Sequence, residues 1–223
     1  MHSGWYPRYT NYKQNMRYTW PKKKLCRREG INLFGTEKYD LNKWKRGVMR
    51  TRKSSEFGIQ LRKKQLAKRM FGLSEKQFLS YYKKAQKKKA GTGTTWEKML
   101  RLLELRMDNV VYRSGFARTR MQSRQFVNHA HFNLNGIKVS IPSISLKVGD
   151  VIELRPKLKE SALYKSLLEE LEEYSKESKG KISSAKWIEV DIKKLKITVT
   201  ALPEKEDFDE IIDIQKIIEF YSK

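Results

Sequence analysis

Near residue 130 the apolar period of the chain changes from helical to alternating, and that change limits the folds open to it. Upstream, Trp96, Met99, Leu100, Leu103 and Met107 recur at helical spacing, with Thr94 and Glu97 as a capping box that opens a helix and Gly115 to end it. Thr119 and Gln122 make a further capping box, for a short helix reaching about His129. Beyond it Phe132 and Leu134 alternate up to Asn135-Gly136, and Ile137, Val139 and Ile141 alternate away from it. Asn-Gly tolerates positive φ at both central positions of a tight turn, so the pair reads as a β-hairpin. Lys147-Val148-Gly149-Asp150 makes another turn before a strand over Val151–Leu154. Helix-turn-helix leading straight into small strands gives a rigid platform.

Helices also precede this platform. Ser55 caps a helix from Glu56 to about Phe71, ended by Gly72. Ile59, Leu61, Leu66 and Met70 are its apolar side, and Arg62, Lys63, Lys64, Lys68 and Arg69 decorate the rest. The capping box Ser74 to Gln77 opens a second helix through Phe78, Tyr81, Tyr82 and Ala85, ending in Lys87-Lys88-Lys89. Gly91-Thr92-Gly93 reads as a flexible joint and a domain boundary. After the platform come an acidic amphipathic helix (161–174), a polar loop (175–184), short strands at Trp187–Val190 and Ile197–Thr200, and an apolar stretch from Ile211 to Tyr221. The division expected is a basic extended arm (1–53) with a short helix around Lys23–Glu29, a helical part (54–93), the platform (94–160) and a C-terminal segment (161–223).

Charge narrows the function. The 223 residues carry a formal net charge of +24, which favours a polyanionic partner. Residues 1–90 hold +21 of it, residues 91–157 hold +6, and residues 158–223 are at −3. The electrostatic footprint therefore lies in the first two segments, while the last suits packing on protein. Arg120, Arg124 and Asn128 fall at i, i+4, i+8 on one helix face, and Arg113 and Arg118 flank Gly115. Guanidinium groups bind phosphate bidentately and stack on exposed bases, so this face suits folded RNA. A single cysteine, Cys26, excludes an internal disulfide framework, and no apolar run approaches the roughly 20 residues of a membrane span.

Asp108-Asn109-Val110-Val111-Tyr112-Arg113, Ala117-Arg118-Thr119-Arg120, Arg124-Gln125-Phe126-Val127-Asn128-His129, Asn135-Gly136 and Ile141-Pro142-Ser143 closely resemble the RNA-binding module of the small-subunit ribosomal protein four family, of bacterial or organellar type. The resemblance extends from Arg17-Tyr18 and Leu25-Cys26-Arg27-Arg28-Glu29-Gly30 to Trp187-Ile188-Glu189-Val190-Asp191 and Ile218-Glu219-Phe220-Tyr221-Ser222-Lys223, nearly the whole chain from Met16 onward. It implies an α+β protein: a helical first domain closed by the C-terminal segment, with an inserted helix-turn-helix plus small β-hairpin RNA-binding module. It implies direct binding of small-subunit ribosomal RNA, nucleation of assembly, a part in decoding accuracy, and contact with the neighbouring ribosomal proteins three and five. The location implied is the ribosome, in a bacterial cytoplasm or in an organelle (mitochondrion or plastid).

The RNA-binding residues expected are Lys22, Lys24, Arg27, Arg28, Arg62, Lys63, Arg69, Arg113, Arg118, Arg120, Arg124, Asn128 and His129. Arg50 and Lys53, with Arg52 between them, match positions that line the messenger RNA entry channel in the family, and all three are expected to face it. The chain departs from the pattern before Arg50, where Trp44-Lys45-Arg46-Gly47 replaces a Pro-Gly-Gln-His-Gly stretch. Lys23 also stands where zinc-binding members have a first cysteine, so neither metal nor cofactor is expected. His129 and His131 lack a third ligand close in sequence, Gly91-Thr92-Gly93 lacks the Lys-Ser or Lys-Thr of a phosphate loop, and the reactive-thiol reading of Cys26 lacks a nearby histidine. Similar modules are appended to RNA-modifying enzymes, but the residues after 157 are too few for such a catalytic domain and carry no Gly-Arg-Leu-Asp motif, so no enzyme is expected. A free-standing RNA-binding translational regulator is the alternative, and it would need only the module.

Overall fold

In the computed structural model, the described residues are 21–34, 55–87, 93–177, 185–208 and 211–222. They form α1 (Lys22–Glu29), α2 (Glu56–Met70), α3 (Glu75–Gln86), α4 (Thr95–Glu104), α5 (Met107–Arg113), α6 (Arg120–Asn128), β1 (Phe132–Leu134), β2 (Ile137–Lys138), β3 (Val151–Leu154), α7 (Pro156–Lys159), α8 (Ala162–Glu177), β4 (Ile188–Asp191), β5 (Lys196–Val199) and α9 (Ile214–Ser222). Helix starts follow local capping: Ser74 accepts from the Gln77 amide while the Gln77 side chain accepts from the Ser74 amide, and Thr94 and Glu97 repeat the pattern. At Thr119 the pattern is half kept. Its hydroxyl accepts from the Gln122 amide at 3.1 Å, but Gln122 Oε1 takes the Arg118 amide instead.

The buried apolar residues separate into two cores. The first gathers Phe71 and Leu73, Phe78 and Tyr82 of α3, and Met99, Leu100 and Leu103 of α4, and is completed by Phe208 and Ile217. Helix α9 lies against α2 and α4, with Phe57 and Phe220 rings 5.3 Å apart and Tyr82 stacked on Tyr221 at 4.8 Å. Gln60 Nε2 also donates to Glu219 Oε2 at 3.1 Å, across 159 positions of the chain. The C-terminal helix thus closes the helical domain.

The second core lies between helices and a five-stranded antiparallel sheet of order β2-β1-β3-β5-β4. Val110, Val111, Phe116 and Phe126 meet Phe132, Ile152, Leu154, Trp187, Ile197 and Val199, and α8 adds Tyr164, Leu167 and Leu171. Asn135 and Gly136, at φ 50° and 82°, make the expected hairpin turn.

Three boundaries differ from the sequence reading. The expected single helix from Thr94 towards Gly115 is two, α4 and α5, because Arg106 is extended (φ −69°, ψ 139°) and bridges Ser145. Beside it the Leu146 amide bonds the Leu105 carbonyl at 2.8 Å and the Met107 amide bonds the Ile144 carbonyl at 2.9 Å. Residues 142–146 return there instead of extending the hairpin, which leaves β2 two residues long. Second, α4 packs on α3, so the division between the cores falls between Leu103 and Leu105 and not at Gly91–Gly93. An amphipathic helix needs a partner for its apolar face, and α3 is adjacent. Third, residues 161–223 do not pack back as one unit: α8, β4 and β5 join the module, and Phe208 with α9 joins the helical domain.

Candidate nucleic-acid interface

Helix α1 buries Leu25 and Cys26 and leaves Lys23, Lys24, Arg27 and Arg28 exposed. Burial pushes the Cys26 thiol up, which disfavours its thiolate. Lys22 is half-buried, its ammonium 5.4 Å from the Phe34 ring. The Glu29 side chain is buried and pairs with Arg69, with Arg62 at 3.9 Å, so Arg69 ties α1 to α2. Burial pushes the Glu29 carboxyl above its ordinary value despite the pull of Arg69 and Arg62. Arg62 remains exposed and Lys63 half-buried.

On α3 the side chains of Lys76, Lys83, Lys84 and Lys87 are exposed, and none forms an ion pair with a carboxylate of the described residues. Only the Lys87–Lys89 run stood out in the sequence. The spacing of Lys76, Lys83 and Lys87 at i, i+7, i+11 is the signal that marks the whole face. Lys64 is different: it is buried, bonded to Glu75 at 2.7 Å and 4.2 Å from the Phe220 ring.

The module's arginines divide. Arg118 is exposed and bonds Glu170 of α8. Asn128 and His129 are exposed at the end of α6, while His131 Nδ1 meets the Tyr164 hydroxyl at 2.8 Å and its ring stacks on Phe126. Arg113 turns inward to the buried Glu104, at 2.9 and 3.1 Å, and Asn109 Nδ2 donates to the same carboxylate at 2.6 Å. Arg120 and Arg124 share a face as their spacing requires, but that face lies against the helical domain. Arg124 Nη1 donates to the Gly72 carbonyl at 2.8 Å. Arg120 lies 4.4 Å from the Tyr112 ring and 5.4 Å from the Phe71 ring, and bonds Asn109 Oδ1 at 3.1 Å.

Arg106, which sequence reasoning missed, completes this junction. It is 1% exposed, grips Asp108 through Nε at 3.0 Å and Nη2 at 2.7 Å, and donates through Nη1 to the Tyr81 hydroxyl at 2.6 Å. Burial opposes its charge, but the bonds to Asp108 outweigh that and raise its pKa. Arg124 goes the other way: burial lowers its pKa, and Asp108 at 3.9 Å is shared with Arg106. A narrow crevice lined by Phe71, Asp108, Asn109 and Arg120 opens at this place. Arg50, Arg52 and Lys53 lie outside the described residues. Among the described residues no three His, Cys, Asp or Glu side chains gather to hold a metal ion, and no helix is long and apolar enough to cross a membrane.

Comparison with known proteins divides the chain at the same point. Residues 17–104 match the family model described as ribosomal protein S4/S9 N-terminal domain, and residues 105–152 match the S4 domain. A protein of Heliobacterium modesticaldum named small ribosomal subunit protein uS4 is 43% identical over 217 residues, 93% of this chain and 99% of that protein. Relatives with the same name from Syntrophomonas wolfei and Thermotoga petrophila are 41% and 43% identical over 218 residues, with the same coverage.

Proposed function

The chain belongs to the small ribosomal subunit protein uS4 family, and from that membership we propose that it is a structural, RNA-binding component of the small ribosomal subunit. Its place is the ribosome of a bacterial cytoplasm or of an organelle. It binds small-subunit ribosomal RNA directly, helps nucleate assembly and contributes to decoding accuracy. Ribosomal proteins three and five are its neighbours, and Arg50, Arg52 and Lys53 face messenger RNA at the entry channel.

The observation that carries this reading is the row of exposed α3 lysines without a carboxylate partner among the described residues, on a domain joined to an RNA-binding module. Two exposed cations of the C-terminal segment are paired instead: Lys186 with Glu206 at 3.3 Å and Lys194 with Asp191 at 3.9 Å. Cations left without carboxylates release counterions from a nucleic-acid backbone on binding, which supplies affinity that falls steeply with salt. Lys24, Arg27, Arg28, Arg62, Arg118, Asn128 and His129 are exposed as well, Arg62 beside Glu29 and Arg118 bonded to Glu170.

The test is affinity for small-subunit ribosomal RNA against an unrelated structured RNA of equal length, across a salt series. Both weaken as salt rises, and a large preference for ribosomal RNA survives at high salt. Coincident curves at every salt concentration would remove the ribosomal reading and favour the free-standing regulator.

A further inference from the structure

We propose that Arg106, Asp108 and Arg124, with Tyr81 and Gly72 opposite them, form an orienting joint that sets the angle at which the two domains present their cationic surfaces to one RNA. The inference rests on the ribosomal RNA-binding reading. It goes further by giving residues that face the interior a role in recognition.

The two apolar cores do not merge. Leu103 belongs to one and Leu105 to the other, and the chain crosses between them at Arg106. Polar and cation–π contacts cross beside that point: Arg106 to the Tyr81 hydroxyl at 2.6 Å, Arg124 to the Gly72 carbonyl at 2.8 Å, and Arg120 over the Phe71 ring at 5.4 Å. Apolar burial is non-directional and tolerates sliding, whereas charge-assisted hydrogen bonds to a planar guanidinium fix direction. Arg106 is held on three of its nitrogens, two to Asp108 and one to Tyr81, so its plane is set on both sides of the division. Helix α5 is pinned in turn to residues 142–146 by the Asp108 amide on the Pro142 carbonyl at 3.2 Å.

An RNA that spans both domains benefits from this rigidity. Once one surface has bound, the other binds as an intramolecular event, and that advantage is lost when the geometry drifts. Tyr81 is a positioning residue in this scheme. It is uncharged and only half-buried, and its hydroxyl serves Arg106.

Tyr81→Phe removes that hydroxyl and keeps every charge and the ring. Affinity for small-subunit ribosomal RNA should fall about tenfold, while affinity for a short hairpin that one domain alone can cover stays unchanged. Spin labels at exposed Ser80 and Ser166 (each changed to Cys, one on each domain) should show a broadened distance distribution in Tyr81→Phe without RNA. An equal fall for both RNAs would mean a general loss of structure and overturn the joint, as would an unchanged distance distribution. If Tyr81→Phe melts before it can be measured, Arg124→Lys makes the same test, since it keeps the charge and loses the guanidinium fork. The label distances judge the joint without RNA, so they remain decisive even where the intact protein shows no preference for ribosomal RNA.

Discussion

Ile217→Ala in the C-terminal helix should destabilise a domain built mostly from residues before 105. Ile217 is fully buried in the core formed by α2, α3 and α4, over a hundred residues upstream. The substitution deletes three carbons, about 0.8 kcal/mol each as lost transfer energy, and the cavity brings the total to roughly 2–5 kcal/mol. Hydrogen exchange followed segment by segment is the right assay, since it reads each core separately. Amides of α2, α3 and α4 should lose protection by a factor from about thirty to several thousand, the same energy expressed as an equilibrium constant. Amides of β3 and β5 should keep theirs, because Ile152 and Ile197 pack in the other core. Equal losses in both sets would mean one cooperative unit and would sink the two-core description. No loss in either would mean that α9 is not part of the first core.

Two further perturbations test local features. Burial alone would raise the Glu75 carboxyl, but the bonds from Lys64 and Lys68 outweigh it and hold the pKa below the ordinary glutamate value. A depressed carboxylate stabilises the folded state above its unfolded pKa, and this is lost as pH falls through the folded value. Tyr221 also donates to Glu75 at 3.1 Å, so protection in α9, taken relative to the intrinsic exchange rate at each pH, should fall with acid, and this component should vanish in Glu75→Gln. In the module, Asn135 accepts from the Val151 amide and donates to Asp150, both at 2.9 Å, while holding φ at 50°. Asn135→Ala should cost about 2 kcal/mol in urea unfolding of the module and Asn135→Gly distinctly less, as glycine tolerates that backbone; equal losses would show that the backbone conformation contributes nothing.

What the sequence made legible was local. The capping boxes at Ser74 and Thr94, the Asn135-Gly136 turn and the docking stretch at the C-terminus all depend on residues a few positions apart, and the structure has them. The break between α4 and α5 was not legible, because Met107 continues the stripe of Leu100 and Leu103 and the interruption is imposed by Ser145 and Leu146. Strands β4 and β5 could be found by alternation, but their pairing onto β3 joins residues over forty positions apart. The face shared by Arg120 and Arg124 was also read correctly from spacing. Its neighbour was not, since Phe71 and Gly72 come from the other domain.

That contact bears on how the chain could select one RNA. Arg69, Arg106, Arg113, Arg120, Arg124 and Arg155 all bond groups of this chain. The exposed cations of α3, the hairpin, its neighbouring turn and α7 are lysines, namely Lys76, Lys83, Lys84, Lys87, Lys138, Lys147, Lys157 and Lys159. Lysine is a flexible point charge that attracts phosphate without fixing its geometry, whereas arginine's planar fork is directional. Those lysines are suited to bind many RNAs, since phosphate contacts carry little sequence information by themselves, and exposed Arg27, Arg28, Arg62 and Arg118 are the exceptions. Selectivity must then come largely from where the phosphates stand, which makes the spacing between the two cationic surfaces the quantity that is read. Arg106 and Arg124 are placed where they can hold that spacing constant, at the division between the cores.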